Sequence, residues 1–389
     1  MWHAFRMGTV IHSARLVTGA PETADGWIRL EGDRIATTGS GDWRGIVAAG
    51  DEVVDAAALA GPAAVLTPGF VDLHGHGGGG AAFDEGADAI RTARDLHRRH
   101  GTTRAVISLV TAPLELLAAR AAVVADLAAA DPGVLGSHLE GPFLDPAHHG
   151  AHDPALLRDP APADVERLLE AGRGTVRQVT IAPERPGGLD AVRRVVAAGA
   201  AAAIGHTAAD GDATRAAIEA GATILTHAFN AMPGIHHRDP GPIPVAARDE
   251  RVTLELIADG VHVRDDVMRM LFAAAPGRVA LVTDAMAATG MPDGAYTIGA
   301  LDVDVAGGVA RVRATGAIAG STLTQDAALR RAVGFGAALP DAVAALTAVP
   351  AAAIGRGDLG SLAAGAVADA VLLDASLRVR AVWAAGARV

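Results

Sequence analysis

The chain of 389 residues is half apolar and one-fifth charged, carries a net charge of −11 and contains no cysteine. It is long enough to bury a large core, and the lack of cysteine excludes disulfides, thiolate nucleophiles and Cys-bound metals. Any metal must therefore be held by histidines and carboxylates. The acidic charge argues against nucleic acid as a partner. All 33 basic side chains are arginines, which excludes Schiff-base lysines, Walker-type phosphate loops and carbamylated-lysine metal bridges.

Two features of the sequence concern its location in the cell. The longest apolar runs are short and rich in Ala and Gly, well below the ~18 residues that span a bilayer, so no transmembrane helix is expected. The N-terminal stretch MWHAFRMGTVIHSARL has no continuous apolar segment behind basic residues, so no secretory signal is visible. We therefore expect a cytoplasmic protein with no membrane partner.

The N-terminal segment has the pattern of short strands joined by turns. In GWIRLEGDRIATTG, for example, apolar Ile28, Leu30 and Ile35 flank a Gly-Asp turn. After Pro68, short apolar runs alternate with stretches of helical period such as DAIRTARDLHRRHG and GDATRAAIEAGA. About eight such strand-then-helix units predict a (β/α)₈ TIM-type barrel.

The C-terminal stretch GSLAAGAVADAVLLDASLRVRAVWAAGARV returns to the character of strands. It could form a strand pair packed on the barrel, but we prefer strands that join the N-terminal ones in a small β-sandwich. The predicted domains are a catalytic barrel at residues 65–355 and a small sandwich formed by residues 1–64 and 356–389.

The stretch FVDLHGHGGGG places His74 and His76 at the end of the first predicted barrel strand. Residues two apart on a strand project to the same side, so both imidazoles can face the mouth of the barrel and form half of a metal site. Taken alone, His-x-His could equally be a pair of surface histidines in a glycine turn.

Similar polar side chains end later apolar runs: His138 and Glu140, His206, His227, and Asp284. Because a barrel brings the carboxyl ends of its strands to one mouth, these groups are expected to converge. Imidazoles and carboxylates hold Zn²⁺ or similar ions, which activate water and polarise carbonyls. The predicted reaction is hydrolysis of an amide.

Eight motifs occur in a fixed order along nearly the whole chain: PGFVDLHGHGGGG, HLEGPFLDPAHHGAH, IGHT, THAFNAMPG, RDPGP, ADGVH, VTDAMAATG and IAGSTLT. With them the chain resembles the amidohydrolase superfamily and, within it, the N-acetylglucosamine-6-phosphate deacetylases. These deacetylases have a glutamate in HLEGP where many amidohydrolases use a carbamylated lysine. The resemblance implies hydrolysis of the acetamide of N-acetyl-D-glucosamine 6-phosphate to D-glucosamine 6-phosphate and acetate, in amino-sugar catabolism or cell-wall recycling, by a homodimer.

The resemblance also implies a metal site. Glu140, His206 and His227 match the metal ligands that the family always uses. His74 and His76 match a pair that holds a second metal in some members, whereas other members have Gln and Asn there. Because both histidines are present, two divalent ions bridged by Glu140 are implied, with zinc favoured and iron, manganese or cobalt as alternatives.

The remaining matches concern catalysis and the substrate. Asp284 matches the general base, which takes a proton from water and passes it to the leaving amine. An Arg and a His are suitable phosphate partners, although Arg238 could also be a surface loop charge, and its motif is RDPG where the family commonly has REPG. The implied substrate-binding residues are Ala151 and His152 near the acetyl group, Asn230, Ala231, Arg238 and His262 around the sugar phosphate, and Ile318, Ala319, Gly320 and Ser321 along the sugar.

Other functions stay open at this point. The substrate could be the galactosamine epimer, N-acetylgalactosamine 6-phosphate, or an unphosphorylated amide. The chain could also be a catalytically inactive barrel that serves as a scaffold or binding protein, although such proteins usually lose ligands. No role is assigned to His148, His149, His236 and His237, which we expect to be exposed.

Overall fold

The computed structural model describes residues 8–19 and 22–389. Residues 1–7 and 20–21, which belong to the predicted N-terminal part of the small domain, lie outside the described residues. Residues 1–7 also belong to the stretch on which the expectation about a secretory signal is based.

The strands are short and follow one another along most of the chain. Within the described residues they are β1 Gly8–Leu16, β2 Thr23–Glu31, β3 Arg34–Ser40, β4 Glu52–Asp55, β5 Val65–Pro68, β6 Phe70–Asp72, β7 Gly77–Gly78, β8 Ala81–Ala82, β9 Thr102–Val110, β10 Val134–Glu140, β11 Val176–Ile181, β12 Ala201–Ile204, β13 Ile224–Leu225, β14 Thr253–Ile257, β15 Val279–Val282, β16 Gly294–Ile298, β17 Leu301–Ala306, β18 Val309–Val312, β19 Ala370–Leu373, β20 Val379–Ala384 and β21 Ala387–Arg388.

The helices alternate with the central strands. Those in the same part of the chain are α1 Ala56–Ala60, α2 Ala87–Arg99, α3 Leu114–Ala130, α4 Pro162–Ala171, α5 Gly188–Ala197, α6 Gly211–Glu219, α7 Pro242–Arg248, α8 Asp265–Ala274, α9 Gln325–Gly334, α10 Leu339–Ala344 and α11 Ala348–Ala353. The two helices predicted from their period correspond to α2 and α6. Asp210 caps the N-terminus of α6, and its side chain accepts hydrogen bonds from the backbone N–H groups of Asp212 and Ala213.

Eight strands form the barrel sheet, in the order β15-β14-β13-β12-β11-β10-β9-β6. Pairing is parallel from β9 through β15, and a helix connects each strand to the next. Every residue of β9 is buried, which is why its apolar residues do not alternate with exposed polar ones. The prediction of a (β/α)₈ barrel is confirmed.

Hydrogen bonds connect the first and last strand ends of the barrel. The backbone N–H of Asp284, after β15, donates to the carbonyl of His74, after β6, at 2.7 Å. The Asp72 carboxylate accepts bonds from the Thr283 N–H at 3.2 Å and the Thr283 hydroxyl at 2.6 Å. The segment that carries the first predicted ligand pair is thereby fixed next to the segment that carries the predicted base.

The N- and C-terminal strands form a separate sheet, ordered β21-β20-β19-β5-β1-β2-β3, with β4 paired to β1. The C-terminal strands thus join the N-terminal ones, as preferred from the sequence. Its core includes Ile28, Leu372 and Trp383. Glu31 pairs with Arg34, so the predicted Gly-Asp turn connects β2 to β3.

A three-stranded antiparallel sheet, β16-β17-β18, was not predicted from the sequence. Its apolar face includes Ile298, Val303 and Val312, which pack with Val110 and Met286 in one buried cluster. This cluster places the end of β16 beside the end of β9.

The chain divides into two compact units. One contains the residues up to Val71, His97–Thr103 and Gln325–Val389, and the other contains Asp72–Leu96 and Arg104–Thr324. The domain boundaries expected from the sequence stay a prediction. No helix in the described part of the chain is long and apolar enough to cross a membrane.

Candidate active site

The predicted site residues follow the carboxyl ends of the barrel strands. Glu140 is the last residue of β10, and His74, His206, His227 and Asp284 each lie two residues beyond a strand. His206, His227 and Asp284 have φ angles of 46°, 26° and 48°, a left-handed conformation that is uncommon for residues other than glycine. Such backbone strain clusters at functional sites, because the surrounding structure must hold it in place.

The carboxylate of Glu140 is the centre of the site. The Nε2 atoms of His74, His76, His206 and His227 lie 3.2, 3.0, 3.1 and 3.2 Å from its oxygens. The two Nε2 atoms of the first pair are 3.2 Å apart, and those of the second pair are 3.0 Å apart. Four imidazole nitrogens that point at one carboxylate and at each other cannot all donate hydrogen bonds. Lone pairs that face each other in this way are typical of ligands around a metal ion.

The orientation of two rings supports this interpretation. The Nδ1–H of His206 donates to the carbonyl of His148 at 2.9 Å, and that of His74 donates to the carboxylate of Glu255 at 3.1 Å. When Nδ1 carries the only ring proton, the Nε2 lone pair of each ring is available for a metal. The residues present therefore fit a divalent metal.

Within residues 8–19 and 22–389, two groups could each hold an ion, with ligand atoms mutually within 4.8 Å: His74, His76 and Glu140, and Glu140, His152 and His206. Glu140 belongs to both groups, as expected for a bridging carboxylate. The second group contains His152, which was predicted to bind substrate and not metal; its Nε2 lies 3.5 Å from Glu140.

Burial and mutual attraction set the charges of this cluster. Burial opposes ionisation of Asp284, but His74 and His76 overcome it and lower the pKa of Asp284 to about 2. Burial likewise opposes charge on His76, yet Asp284 and Glu140 raise its pKa to about 9. Glu140 is held well below its ordinary pKa despite burial, mainly by His74. Both carboxylates are thus ionised at neutral pH.

Asp284 lies beside the first histidine pair. Its Oδ1 atom is 3.3 Å from the Nε2 of His76 and 3.6 Å from that of His74. Its carbonyl accepts the N–H of Ser321 at 2.7 Å. Gly320 has a φ of +60°, and a Cβ there would lie 2.9 Å from the Asp284 carbonyl; the loop that supports Asp284 therefore needs glycine at this position.

A cavity of about 230 Å³ opens onto this cluster. Most of the predicted site residues line it, together with Val110, Gly150 and Ile298, which the sequence analysis missed. Val110 ends β9 and Ile298 ends β16, so both look like ordinary apolar residues of strands. The predicted residues in the lining are His76, Glu140, Ala151, His152, His206, His227, Asn230, Ala231, His262, Asp284, Ile318 and Gly320.

The lining is formed by residues of the described part of the chain and does not include four of the predicted site residues: His74, Arg238, Ala319 and Ser321. His74 is fully buried behind the cluster. Ala319 is buried in the core of the three-stranded sheet, and the Ser321 hydroxyl donates to the Thr283 carbonyl at 2.6 Å. Arg238 is exposed in the loop between His227 and α7.

His262 is the cationic candidate that does reach the cavity. Its Nδ1 donates to the Asp259 carboxylate at 2.6 Å, and its side chain is only 7% exposed. Burial disfavours the imidazolium, but Asp259 overcomes this and raises the pKa of His262. His152 shows the opposite balance, since burial lowers its pKa to about 4 despite the hydrogen bond to Glu140, so it is neutral at pH 7.

Three histidines differ from the expectations. His138 does not enter the cavity lining but bonds Ser108 at 2.9 Å and Thr180 at 2.8 Å, and burial lowers its pKa well below the ordinary value. His148 and His149 are half-buried and not exposed; the carbonyl of His148 orients His206. His236 and His237 are exposed as expected.

The fold and site define a (β/α)₈ hydrolase with a histidine–carboxylate site for divalent metal at the carboxyl ends of its strands. Residues 65–389 match the model of the amidohydrolase family. The chain belongs to that family.

Three deacetylases are similar to nearly the whole chain. A mutant N-acetyl-D-glucosamine-6-phosphate deacetylase from Mycobacterium smegmatis, solved in complex with N-acetyl-D-glucosamine 6-phosphate, is 45% identical with a TM-score of 0.92, over 98% of this chain and 99% of that one. The N-acetylgalactosamine-6-phosphate deacetylase of Escherichia coli O157:H7 is 38% identical over 98% of this chain and 99% of the relative. The N-acetylglucosamine-6-phosphate deacetylase of Vibrio furnissii is 33% identical over 99% and 94%.

Proposed function

We propose that this chain hydrolyses the acetamide of N-acetyl-D-glucosamine 6-phosphate to D-glucosamine 6-phosphate and acetate. The observation that carries the proposal is the convergence of four imidazoles and two carboxylates in one cluster, onto which the cavity opens. The full-length similarity to the Mycobacterium smegmatis protein, solved with this sugar phosphate, supports the substrate. Release of acetate from the purified enzyme is the direct test.

Each residue has a proposed task in this reaction. His74, His76, Glu140, His206 and His227 hold divalent metal, which when bound supplies Lewis-acid activation of water and of the amide carbonyl. Asp284 accepts the proton of the attacking water and delivers it to the departing amine. Its low pKa keeps it ionised at neutral pH, so that it has an oxygen to which this proton can go.

His152 is proposed to orient the acetamide. It lines the cavity beside Glu140 and is neutral at pH 7, so its single N–H can turn from the Glu140 oxygen, 3.5 Å away, to the carbonyl oxygen without adding a charge to the site. Ala151 lines the same part of the cavity. Ile318 and Gly320, with Ala319 and Ser321 behind them, form the proposed loop along the sugar.

We propose two ions per chain, zinc first among the alternatives of iron, manganese and cobalt. Both histidine sets are complete, and Glu140 contacts both. Metal analysis of protein reconstituted with excess zinc and then desalted is expected to give close to two ions per chain. A ratio that stays near one contradicts the binuclear proposal.

The phosphate is proposed to bind between His262, Asn230, Ala231 and Arg238. His262 lines the cavity and has a raised pKa, so it supplies positive charge to a phosphate. Arg238 is outside the lining, so its participation requires the loop that carries it to approach the bound substrate. Deacetylation of N-acetylglucosamine 6-phosphate should be far more efficient than that of plain N-acetylglucosamine.

The alternative substrate is N-acetylgalactosamine 6-phosphate, because the similarity to the Escherichia coli O157:H7 protein also covers nearly the whole chain. Parallel measurement of kcat/KM on the two epimers separates the alternatives. Equal values would make the enzyme indifferent to the configuration at C4 of the sugar.

Location and assembly complete the proposal. A phosphate dianion does not cross a bilayer, so an enzyme that uses a sugar phosphate must work where the sugar is phosphorylated; we propose the cytoplasm. A homodimer follows from the family resemblance and is checked by light scattering on the purified protein.

A further inference from the structure

Glu255 is a buried carboxylate with no role in the reaction described above. It lies in the middle of β14 and is completely buried. Its Oε2 atom accepts the Nδ1–H of His74 at 3.1 Å and the backbone N–H of His227 at 3.3 Å. Its Oε1 atom accepts the Nε2–H of Gln178 at 2.8 Å. A carboxyl group that is taken out of water requires such donors, and all three come from other barrel strands or their ends.

The contact with His74 determines which nitrogen of that ring carries the proton. Both oxygens of Glu255 accept N–H donors, from His227 and Gln178, so Nδ1 of His74 is the donor in this contact and Nε2 can keep its lone pair for an ion. The same Nε2 lies 3.2 Å from Glu140. Glu255 thus acts on the ion site from the opposite side of the ring, without lining the cavity.

The contact of Glu255 with a histidine ring is made to His74, whereas His227 is contacted through its backbone N–H. His206 is oriented by a neutral carbonyl, while the buried Nδ1 atoms of His76 and His227 have no hydrogen-bond partner among the described residues. A carboxylate on the far nitrogen both fixes the ring and makes it a stronger metal ligand than a carbonyl does. One ion position therefore has a histidine ligand held by a carboxylate, and the other has a histidine ligand held by a carbonyl.

We infer that Glu255 is a positioning residue that commits His74 to its metal-binding tautomer and sets the affinity of the ion position formed by His74 and His76. The inference rests on the proposed metal site but not on the identity of the substrate. It predicts that zinc binds in two steps, of which only one depends on Glu255.

The first test is Glu255→Gln, which keeps the shape of the side chain and removes its charge. Zinc affinity of the metal-free enzyme is measured by competition with a chromophoric chelator at one pH. We expect one of the two binding steps to weaken about 10- to 100-fold, the range typical for loss of a partner behind a ligand, while the other step is unchanged. Glu255→Met carries the same test if the amide variant does not fold.

Gln178→Met is the matched control. It removes the other side-chain hydrogen bond of Glu255 in the same buried layer but leaves both contacts of Oε2. It should retain both zinc affinities. Thermal unfolding of the metal-free proteins accompanies the titrations, because a purely structural role of Glu255 would lower the melting temperature and weaken both binding steps together.

A double-mutant cycle with His74→Gln locates the effect. If Glu255 acts through the His74 ring, Glu255→Gln should cost no further zinc affinity once that ring is absent. Additive losses in the double variant overturn the inference, as do unchanged affinities in Glu255→Gln or a wild type that binds only one ion.

Failure of this inference is separable from failure of the proposed reaction. A wild type that releases acetate from N-acetylglucosamine 6-phosphate while Glu255→Gln binds zinc normally contradicts the role of Glu255 alone. If the wild type is inactive on sugar phosphates while Glu255→Gln loses one zinc-binding step, only the proposed substrate is contradicted.

Discussion

Replacement of Asp284 by Asn tests the proposed proton transfer most directly. The carboxylate is buried, its pKa is lowered to about 2, and it is therefore fully ionised at neutral pH. Asn has nearly the same shape but no basic oxygen. The variant should lose the whole contribution of the general base, which is about 10²- to 10⁴-fold in kcat, or roughly 3 to 5 kcal/mol of activation free energy.

The assay must separate chemistry from metal loss, because Asp284 lies 3.3 Å from a nitrogen of His76. Acetate release is measured over a range of substrate concentrations on protein whose zinc content is determined in the same preparation. We expect kcat to fall while KM stays near its wild-type value. Asp259→Asn is the matched control, since it removes another largely buried carboxylate beside the cavity but should affect substrate binding more than kcat.

One result would refute the reasoning about Asp284. If Asp284→Asn retains near-normal kcat with a full complement of metal, the proton acceptor is another group. A fall in kcat that only parallels lost zinc would instead assign Asp284 to metal binding.

Three further predictions concern the phosphate and the barrel. Arg238→Ala should lower kcat/KM about 10- to 100-fold for N-acetylglucosamine 6-phosphate and much less for the unphosphorylated sugar; equal losses would point to misfolding or to a different substrate. Because Asp259 raises the pKa of His262, the imidazolium is lost only as pH rises through that raised value. In Asp259→Asn the effect of burial dominates, so kcat/KM for the phosphorylated sugar should decline at lower pH than in wild type. Identical pH profiles would exclude His262 as a phosphate partner. Thr283→Val removes the hydroxyl that donates to the buried Asp72 and should lower the free energy of unfolding by about 1 to 3 kcal/mol; a urea midpoint equal to that of wild type would show that Asp72 finds another donor.

The barrel could be predicted from local sequence because each of its strands and helices has a recognisable pattern over a few consecutive residues. The apolar runs that became β9 to β15 are each bounded by helical or polar stretches, and parallel strands buried on both faces require such runs. The convergence of Glu140, His206, His227 and Asp284 followed from the same reasoning, since a barrel gathers the carboxyl ends of its strands whatever the loop sequences are.

The sequence was less informative where a segment lacks a strong period. The sheet formed by β16, β17 and β18 was missed, and with it Ile298 as a residue of the cavity wall. Arg238 was placed near the phosphate by its motif, yet it is exposed in a loop outside the cavity lining. An exposed loop has few contacts that fix its position, so its motif does not determine where its side chains lie.

The sequence by itself thus determined the class of fold, the types of the candidate ligands and their position at strand ends, because these depend on residues close together in the chain. Only the tertiary structure decided which side chains orient those ligands. Glu255 reads as part of an apolar strand, VTLELI, and its partner His74 is 181 residues away. His148 was expected to be exposed, but its carbonyl holds His206 across 58 residues. Hydrogen bonds over such separations leave no periodic trace in the sequence, since they exist only once the barrel has brought distant strand ends within 3 to 4 Å of each other.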